Sequence, residues 1–363
     1  MSKRTNIDRS VRSAGPGSED RRSEPTEEER AAAATLLRMI WGIHISRAIY
    51  VAAELGIADR LASGPMTAAQ LAQATDTQEP SLYRVLRLLA SLDVLNEHEN
   101  RSFSLTVLGE RLRTDVPASM RSWAMLVESL GGVRAFEPII ETVRTGKPGV
   151  DIAYGMNIFE FVAQHPQLVP GFQAAMSERT AAFAPSVATG YDFSRMRTVA
   201  DIGGGKGTLL AAILRVHAHL RGVLFDRPRV TADAADVFRA AGVEERCEIV
   251  AGNFFKGVPE SADTYVLANV LHDWDDGRAV QILSNCRRAM AAGGRVLIVE
   301  RLISDDPRAA LPTLLSDLNM LVFTGGQERT NAEYGALLAE AGLKVGKVQS
   351  VAPPYGIMEG LAR

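Results

Sequence analysis

From Thr198 the chain changes its period. Short β-rich runs, "TVADI", "GVLFD", "CEIV", "TYVLAN", "RVLIVE" and finally "VGKVQSV", alternate with helical stretches almost to the C-terminus. Strands separated by helices need crossover connections, which give a mostly parallel sheet with helices on its faces. Residues 191–363 are therefore predicted to form an open α/β domain. In such a domain a ligand lies in the crevice at the carboxyl ends of the strands.

The first of these strands runs into "DIGGGKG", residues 201–207, and the apolar helix "TLLAAILRV" begins at Thr208. Glycine at that density is costly in backbone entropy, so the turn needs a reason. A strand, a tight glycine turn and a helix N-terminus form the usual seat of a nucleoside cofactor. The dinucleotide fingerprint G-x-G-x-x-G/A fails, since it meets Thr208 when counted from Gly203 and Leu210 when counted from Gly205. The P-loop pattern fails because Lys206 precedes the last glycine. D-x-G-x-G-x-G does fit, on Asp201, Gly203, Gly205 and Gly207. A carboxylate just before the glycines repels a pyrophosphate and suits a cofactor that carries a cation there, such as the ammonium and sulfonium of S-adenosylmethionine. The competing reading is a purely structural glycine turn. Asp226 ends "GVLFD", nineteen residues after Gly207, and is placed to accept both ribose hydroxyls. That supports a nucleoside cofactor without choosing between NAD and S-adenosylmethionine.

The run "TYVLANV" leads directly into "LHDWDD", so His272 lies at the same sheet edge as the glycine turn. Of the six histidines it alone is carried there by the order of the motifs. Two acids are candidates to orient it: Glu300, ending "RVLIVE", and Glu328, in "TGGQERT" ahead of a helix whose Thr330 and Glu333 have capping-box spacing. Glu328 has an alternative reading as an ordinary helix-start acid. Asp273, Asp275 and Asp276 read as caps of the following helix, and no spacing among them is that of a metal site.

The first half of the chain reads as helical. Residues 1–30 hold no aromatic side chain and balance seven basic against seven acidic groups, the composition of a disordered tail. Leu37, Ile40, Trp41, His44, Ala48, Val51 and Leu55 then mark a helical face, widened by Ile43, Ile45 and Ile49. A helix apolar that far round must be buried, and a subunit interface is one way to bury it. In residues 66–112, Thr67 and Gln70 have capping-box spacing, a second helix from about Pro80 turns Leu82, Val85, Leu86 and Leu89 inward, and "NEHENRS" joins two short extended pieces. Helix, helix, hairpin is winged-helix order. Only Arg84 and Arg87 stand on the outer face of its second helix, which is thin for a phosphate-binding surface.

These motifs, in this order, resemble the small-molecule S-adenosylmethionine-dependent O-methyltransferases of the caffeate/isoflavone and bacterial polyketide-tailoring type. The resemblance rests on "DIGGGKG", "FDRPRV", "AGNFFKGVP", "LANVLHDWDD", "GGRVLIVERL" and "GGQERT" and runs from about residue 31 to the C-terminus. It implies a helical dimerisation domain over residues 31–190 with a winged-helix core at about 47–115. It also implies a Rossmann-like methyltransferase domain over 191–363 with a seven-stranded sheet, and a metal-independent mechanism. By the same resemblance Gly203 and Gly205 contact the methionine part of the cofactor, Asp226 takes the ribose, and Asn253 and Phe254 lie on the adenine side. The family usually has aspartate where Asn253 stands, and the asparagine oxygen can still accept the adenine hydrogen bond. His272 becomes the general base flanked by Glu300 and Glu328, while Phe172, Met176, Met320 and Phe323 match acceptor-pocket walls. Relatives on this scaffold also methylate nitrogen or carbon, or carry out hydroxylation or decarboxylation.

The bulk numbers agree with that picture. A chain of 363 residues with net charge -3, 46% hydrophobic and 23% charged, is globular and gives no electrostatic reason for a nucleic-acid partner. A winged-helix regulator that senses the cofactor is thereby disfavoured. No apolar run approaches the ~20 residues of a membrane span. Two cysteines, Cys247 and Cys286, fit neither a disulfide framework nor a zinc spacing, which reads as a cytoplasmic protein.

Overall fold

The computed structural model describes residues 24–129 and 132–362, and the chain divides into two compact units between residues 46 and 47. The tail expected over residues 1–30 lies outside the described residues up to residue 23. From Glu27 the chain is helical, four residues earlier than the sequence pattern indicated. Helix α1 (Glu27–Ile40) starts there because Thr26 and Glu29 form a capping box, with N···O distances of 3.2 and 2.7 Å, and three acids occupy the first turn. Leu36, Leu37, Met39, Ile40, Trp41 and Ile43 are 42–71% exposed, so the wide apolar face is open in a single chain. Helix α2 (Gly42–Glu54) follows.

The second unit begins within α2 and continues with α3 (Ile57–Leu61), β1 (Met66–Thr67), α4 (Ala68–Thr75), α5 (Glu79–Ala90), β2 (Leu95–His98) and β3 (Ser102–Leu105). The strands pair antiparallel in the order β1-β3-β2, the winged-helix arrangement. The Thr67–Gln70 capping box forms, at 3.2 and 2.8 Å. Leu82, Leu86 and Leu89 are buried with Ile57, Leu71 and Phe103, while Val85 is half-buried. Six helices come next: α6 (Arg121–Ser129), α7 (Gly132–Phe136), α8 (Ile139–Thr145), α9 (Gly149–Tyr154), α10 (Ile158–Gln164) and the 22-residue α11 (Val169–Gly190). Leu126, Ala135, Val150, Ile158, Phe161 and Ala175 form their shared core.

The α/β domain runs β4 (Thr198–Ile202), α12 (Thr208–Val216), β5 (Arg221–Asp226), α13 (Ala234–Ala241), β6 (Cys247–Ala251), β7 (Thr264–Ala268), α14 (Asp276–Ala289) and β8 (Arg295–Arg301). It finishes with α15 (Pro307–Phe323), α16 (Asn331–Glu340), β9 (Leu343–Ala352) and β10 (Tyr355–Ala362). Its seven strands lie in the order β6-β5-β4-β7-β8-β10-β9. Strands β4 to β8 are parallel, and β10 inserts antiparallel between β8 and β9. Strand alternation splits the core. Val199 joins Leu209, Leu210 and Ile213 on one face of the sheet, and Ala200 and Ile202 join Ile282, Leu283 and Leu338 on the other. Since β5 lies on one side of β4 and β7 on the other, the strand order reverses at β4, which opens the crevice at its carboxyl end.

Candidate active site

At that crevice Gly203, Gly205 and Gly207 have φ of +71°, +63° and +80°, the left-handed region that favours glycine. A Cβ on Gly203 would lie 2.8 Å from Val270 Cγ2, so the turn also packs against the segment leading to His272. A Cβ on Gly205 would meet nothing within 4 Å, so this glycine borders open space. Helix α12 begins without a side-chain cap, leaving backbone N–H groups directed toward the turn.

Asp226 locks this turn. Its Oδ2 accepts the Gly205 N–H at 3.0 Å and its Oδ1 accepts the Arg227 N–H at 2.7 Å, while burial holds its carboxyl above the usual range. Asn253 is exposed, and its Oδ1 accepts the Phe255 N–H at 2.9 Å, which leaves a second lone pair for a ligand. Phe254 stands edge-on to Phe255 and Trp274.

Asp201 is placed differently from the sequence expectation. The carboxylate expected to face a cofactor cation is 1% exposed and sealed beneath the turn, against Gly204 and Leu224. Neither of its oxygens has a well-formed hydrogen bond among the described residues. Burial, with the nearby Asp226 charge, pushes its carboxyl up to about 7, and the Leu210 N–H at the start of α12 works against that rise. The physical reason is strand alternation: Asp201 is two residues from Val199 and shares the face covered by α12.

His272 sits in a single 3-10 turn, Leu271–Asp273, just after β7, and is 1% exposed. Its Nδ1 lies 3.2 Å from Glu300 Oε2 and 3.3 Å from Glu328 Oε1. Neither contact is aligned as a hydrogen bond, so the pairing is chiefly electrostatic. Each glutamate is anchored separately. Glu300 Oε1 accepts the N–H groups of Val270 and Leu271, both at 2.9 Å, and Glu328 Oε1 accepts the Ser316 hydroxyl at 2.7 Å. Burial by itself lowers the imidazole, but Glu300, Glu328 and Asp273 outweigh it and bring His272 up to about 9. Burial pushes Glu300 up to about 7 against the pull of His272, whereas for Glu328 the His272 ring outweighs burial and lowers the carboxyl. The opposite ring nitrogen, Nε2, stands 3.7 Å from Asp273 Oδ1. Asp275 does cap α14, accepting the Arg278 N–H, but Asp273 is part of the His272 surroundings instead.

His272, Glu300 and Glu328 also have the residue types of a metal site, with ligand-type atoms within 4.8 Å of one another. Protein donors already engage one oxygen of each glutamate, an arrangement suited to holding a proton on Nδ1.

Two residues absent from the sequence reading fix this group. Arg329, 1% exposed, donates to the carbonyls of Leu271 and Trp274 at 3.1 and 2.8 Å and to Asp276 Oδ1 at 2.8 Å, stapling the "LHDWDD" turn to the "GGQERT" loop. Gly326 lets the two backbones touch: the Gln327 N–H donates to the His272 carbonyl at 2.9 Å, and a Cβ on Gly326 would lie 2.0 Å from that oxygen. The double glycine in "TGGQERT" was the available signal.

Phe172, Met176 and Phe323 pack together against the helical core around Leu126 and Val322, and Met320 lies half-buried one turn before Phe323. None of these four side chains lines the cavity of about 690 Å³ that is bounded by Phe159, Arg227, Phe255, Trp274, Arg278 and Thr324 among others. Phe159 stacks on Trp274 at 5.5 Å, and Arg227 lies over the Phe159 ring at 5.3 Å.

Residues 136–344 match the family of O-methyltransferase domains, and residues 37–115 match the O-methyltransferase dimerisation domain. Phenazine O-methyltransferase PhzM of Lysobacter antibioticus is 41% identical over 338 residues, which span 92% of this chain and 98% of that protein. The solved structure of the mitomycin 7-O-methyltransferase MmcR superposes with a TM-score of 0.87 at 38% identity, covering 93% of this chain and 99% of that one. Human N-acetylserotonin methyltransferase, solved in complex with S-adenosylmethionine, gives a TM-score of 0.84 at 28% identity and covers 94% and 99% of the two chains.

Proposed function

The chain belongs to the S-adenosylmethionine-dependent O-methyltransferases, and from that premise we propose that it methylates a phenolic hydroxyl of a small-molecule natural product, with His272 as general base. The observation that carries this reading is the imidazole held by two glutamates on one nitrogen, at the sheet edge that also bears the glycine turn. The open space beside Gly205 and the free lone pairs of Asp226 and Asn253 fit a nucleoside cofactor, so Gly203, Gly205, Asp226, Asn253 and Phe254 would hold it. When bound, S-adenosylmethionine supplies an electrophilic methyl group on a positively charged sulfur.

The chain's own work is positioning and proton removal. Phe172, Met176, Met320 and Phe323 wall the acceptor and keep water away, and His272 takes the phenol proton at Nε2 while Nδ1 stays with its glutamates. A free phenol at ~10 stands about 3.5 units above an ordinary imidazole, roughly 5 kcal/mol uphill. With His272 raised to about 9, the difference shrinks to about one unit, or ~1.4 kcal/mol. Glu328 and Glu300 then balance the imidazolium as it forms. Asp201 supports the turn from beneath.

Two copies of the chain pair through residues 31–190. The dimerisation-domain match and the open apolar face of Leu36, Leu37, Ile40 and Ile43 support this. Two free cysteines, and the absence among the described residues of any helix long and apolar enough to cross a membrane, support work in the cytoplasm. The test is methyl transfer from labelled cofactor to a panel of phenols, quinols and aryl amines. Transfer to phenols that collapses in His272→Ala upholds the reading, whereas transfer to amines alone, or an active His272→Ala, overturns it.

A further inference from the structure

Phe172, Ala175, Met176, Arg179 and Phe183 are related along α11 by three- and four-residue spacings (172 to 175 and 176, both of these to 179, and 179 to 183), so they share the face that packs inward. Ala175 and Phe183 are 1% exposed, and Phe172 and Met176 pack into the helical core. A charged residue in the middle of such a face needs a partner. Arg179 makes no hydrogen bond or ion pair among the described residues, and its buried Nε is unsatisfied. The neighbouring acid does not serve: Glu178 Oε1 accepts the Ser122 hydroxyl at 2.6 Å, and its Oε2 makes no bond to Arg179. Trp123 offers its ring face 6.0 Å from the guanidinium carbon, which supports the flat group without engaging its forked donors. The Arg179 charge reaches Asp273 and Glu328, the two acids on either side of the His272 ring. Arg179 therefore stands on the helix face that bears Phe172 and Met176, within electrostatic reach of the acids around the base, with its Nε–H unengaged.

We propose that Arg179 selects the acceptor by gripping a carboxylate on it, so that the preferred substrate is an aromatic hydroxy acid. This rests on the O-methylation reading above and narrows it. A carboxylate meets a guanidinium through two parallel N–H···O bonds, which satisfies the buried Nε–H and fixes the acceptor ring against rotation. The hydroxyl is then presented to His272 from a ring held at its other side.

The test compares two acceptors that differ only in the charged group, a hydroxybenzoate and the corresponding hydroxybenzamide. In Arg179→Gln the KM for the acid rises roughly ten- to a hundredfold, the value for a charge-assisted hydrogen-bonded pair, while the KM for the amide and the affinity for S-adenosylhomocysteine stay within about twofold. Arg179→Lys recovers part of the loss for the acid. An equal change for both acceptors overturns the proposal. So does a shift of the pH profile with both acceptors and no change in preference, since that would mean Arg179 acts only through Glu328 and Asp273.

A second measurement needs no variant. Benzoate, competing with the acceptor on the wild-type protein, inhibits at least about tenfold better than benzamide, and equal inhibition refutes the idea. Should neither acceptor be methylated, the O-methylation reading is decided by the wider acceptor panel above, while calorimetric binding of benzoate and its loss in Arg179→Gln still decide the role of Arg179.

Discussion

Glu300 faces Nδ1 of His272 at 3.2 Å with one oxygen and with the other accepts the backbone N–H groups of Val270 and Leu271, the two residues just before the histidine. One side chain thus shapes the turn that carries the ring and supplies the charge that raises its basicity. Glu328 faces the same nitrogen at 3.3 Å but is anchored to α15, through the Ser316 hydroxyl and through its own N–H on Asp317.

The two glutamates should therefore fail differently. Glu300→Gln keeps an oxygen for the two N–H groups but turns an amide donor toward Nδ1. Turnover is expected to fall about 10- to 100-fold with a lowered melting temperature. Glu328→Gln is expected to lower turnover with a smaller thermal effect, because its side chain is held by a single hydroxyl and its backbone bond to Asp317 is kept. Steady-state kinetics and thermal denaturation of both variants distinguish these outcomes.

His272 must be neutral to accept a proton, and its surroundings raise it to about 9. The logarithm of kcat/KM should then climb with pH through the neutral range and level off only near that value. Removing either carboxylate takes away a group that favours the charged ring, so the acid limb moves to lower pH in both glutamine variants. His272→Ala should lose the limb and about 10²- to 10⁴-fold in rate, with calorimetric affinity for S-adenosylhomocysteine unchanged. Chelators should leave wild-type turnover as it is. A limb near 6.5 in the wild type would contradict this account of the base.

Asp201 offers a test on folding. Its carboxyl is raised from 3.8 to about 7, so the native state binds a proton more tightly than the unfolded chain does. The stability linked to that proton is present at low pH and is lost as pH climbs from about 4 to about 7. Asp201→Asn removes the linkage. Its stability relative to wild type should improve by on the order of 2–4 kcal/mol between pH 4 and pH 8, read from urea unfolding at each pH. A constant difference across that range would mean that Asp201 is ionised throughout.

Gly326→Ala would place a methyl group 2.0 Å from the His272 carbonyl. The loop must move away, and turnover should fall at least about 100-fold, since a displacement near 1 Å at a reacting group costs that much. Cofactor affinity should hold, because the glycine turn lies on other strands.

The fold was legible because its signals are local. Both capping boxes formed, at Thr67–Gln70 and Thr330–Glu333, and the strand-and-helix period put His272 and Glu300 at one sheet edge, whereas Glu328 was read only as an acid in the loop before a helix. Strand β10 was not among the runs read from the sequence because Gly356 and Gly360 interrupt its β signal, though both are needed where Leu302 and Leu338 press against it. Asp201 was misdirected because its motif fixes its place in the chain, while the pleat of β4 decides which face it takes. Arg329 was invisible because its partners are mostly backbone carbonyls, which any residue carries.

The contact between Gly326 and His272 has a consequence for how this scaffold can diverge. The loop that touches His272 is the direct continuation of α15, which carries the proposed acceptor walls Met320 and Phe323 and brings Ser316 and Asp317 to Glu328. Any mutation that tilts α15 to admit a new molecule also moves the proton acceptor. Helix α11 makes no backbone hydrogen bond to the His272 turn among the described residues, so natural variants that change their chemistry's target while keeping their speed should have altered Phe172 and Met176 before anything on α15.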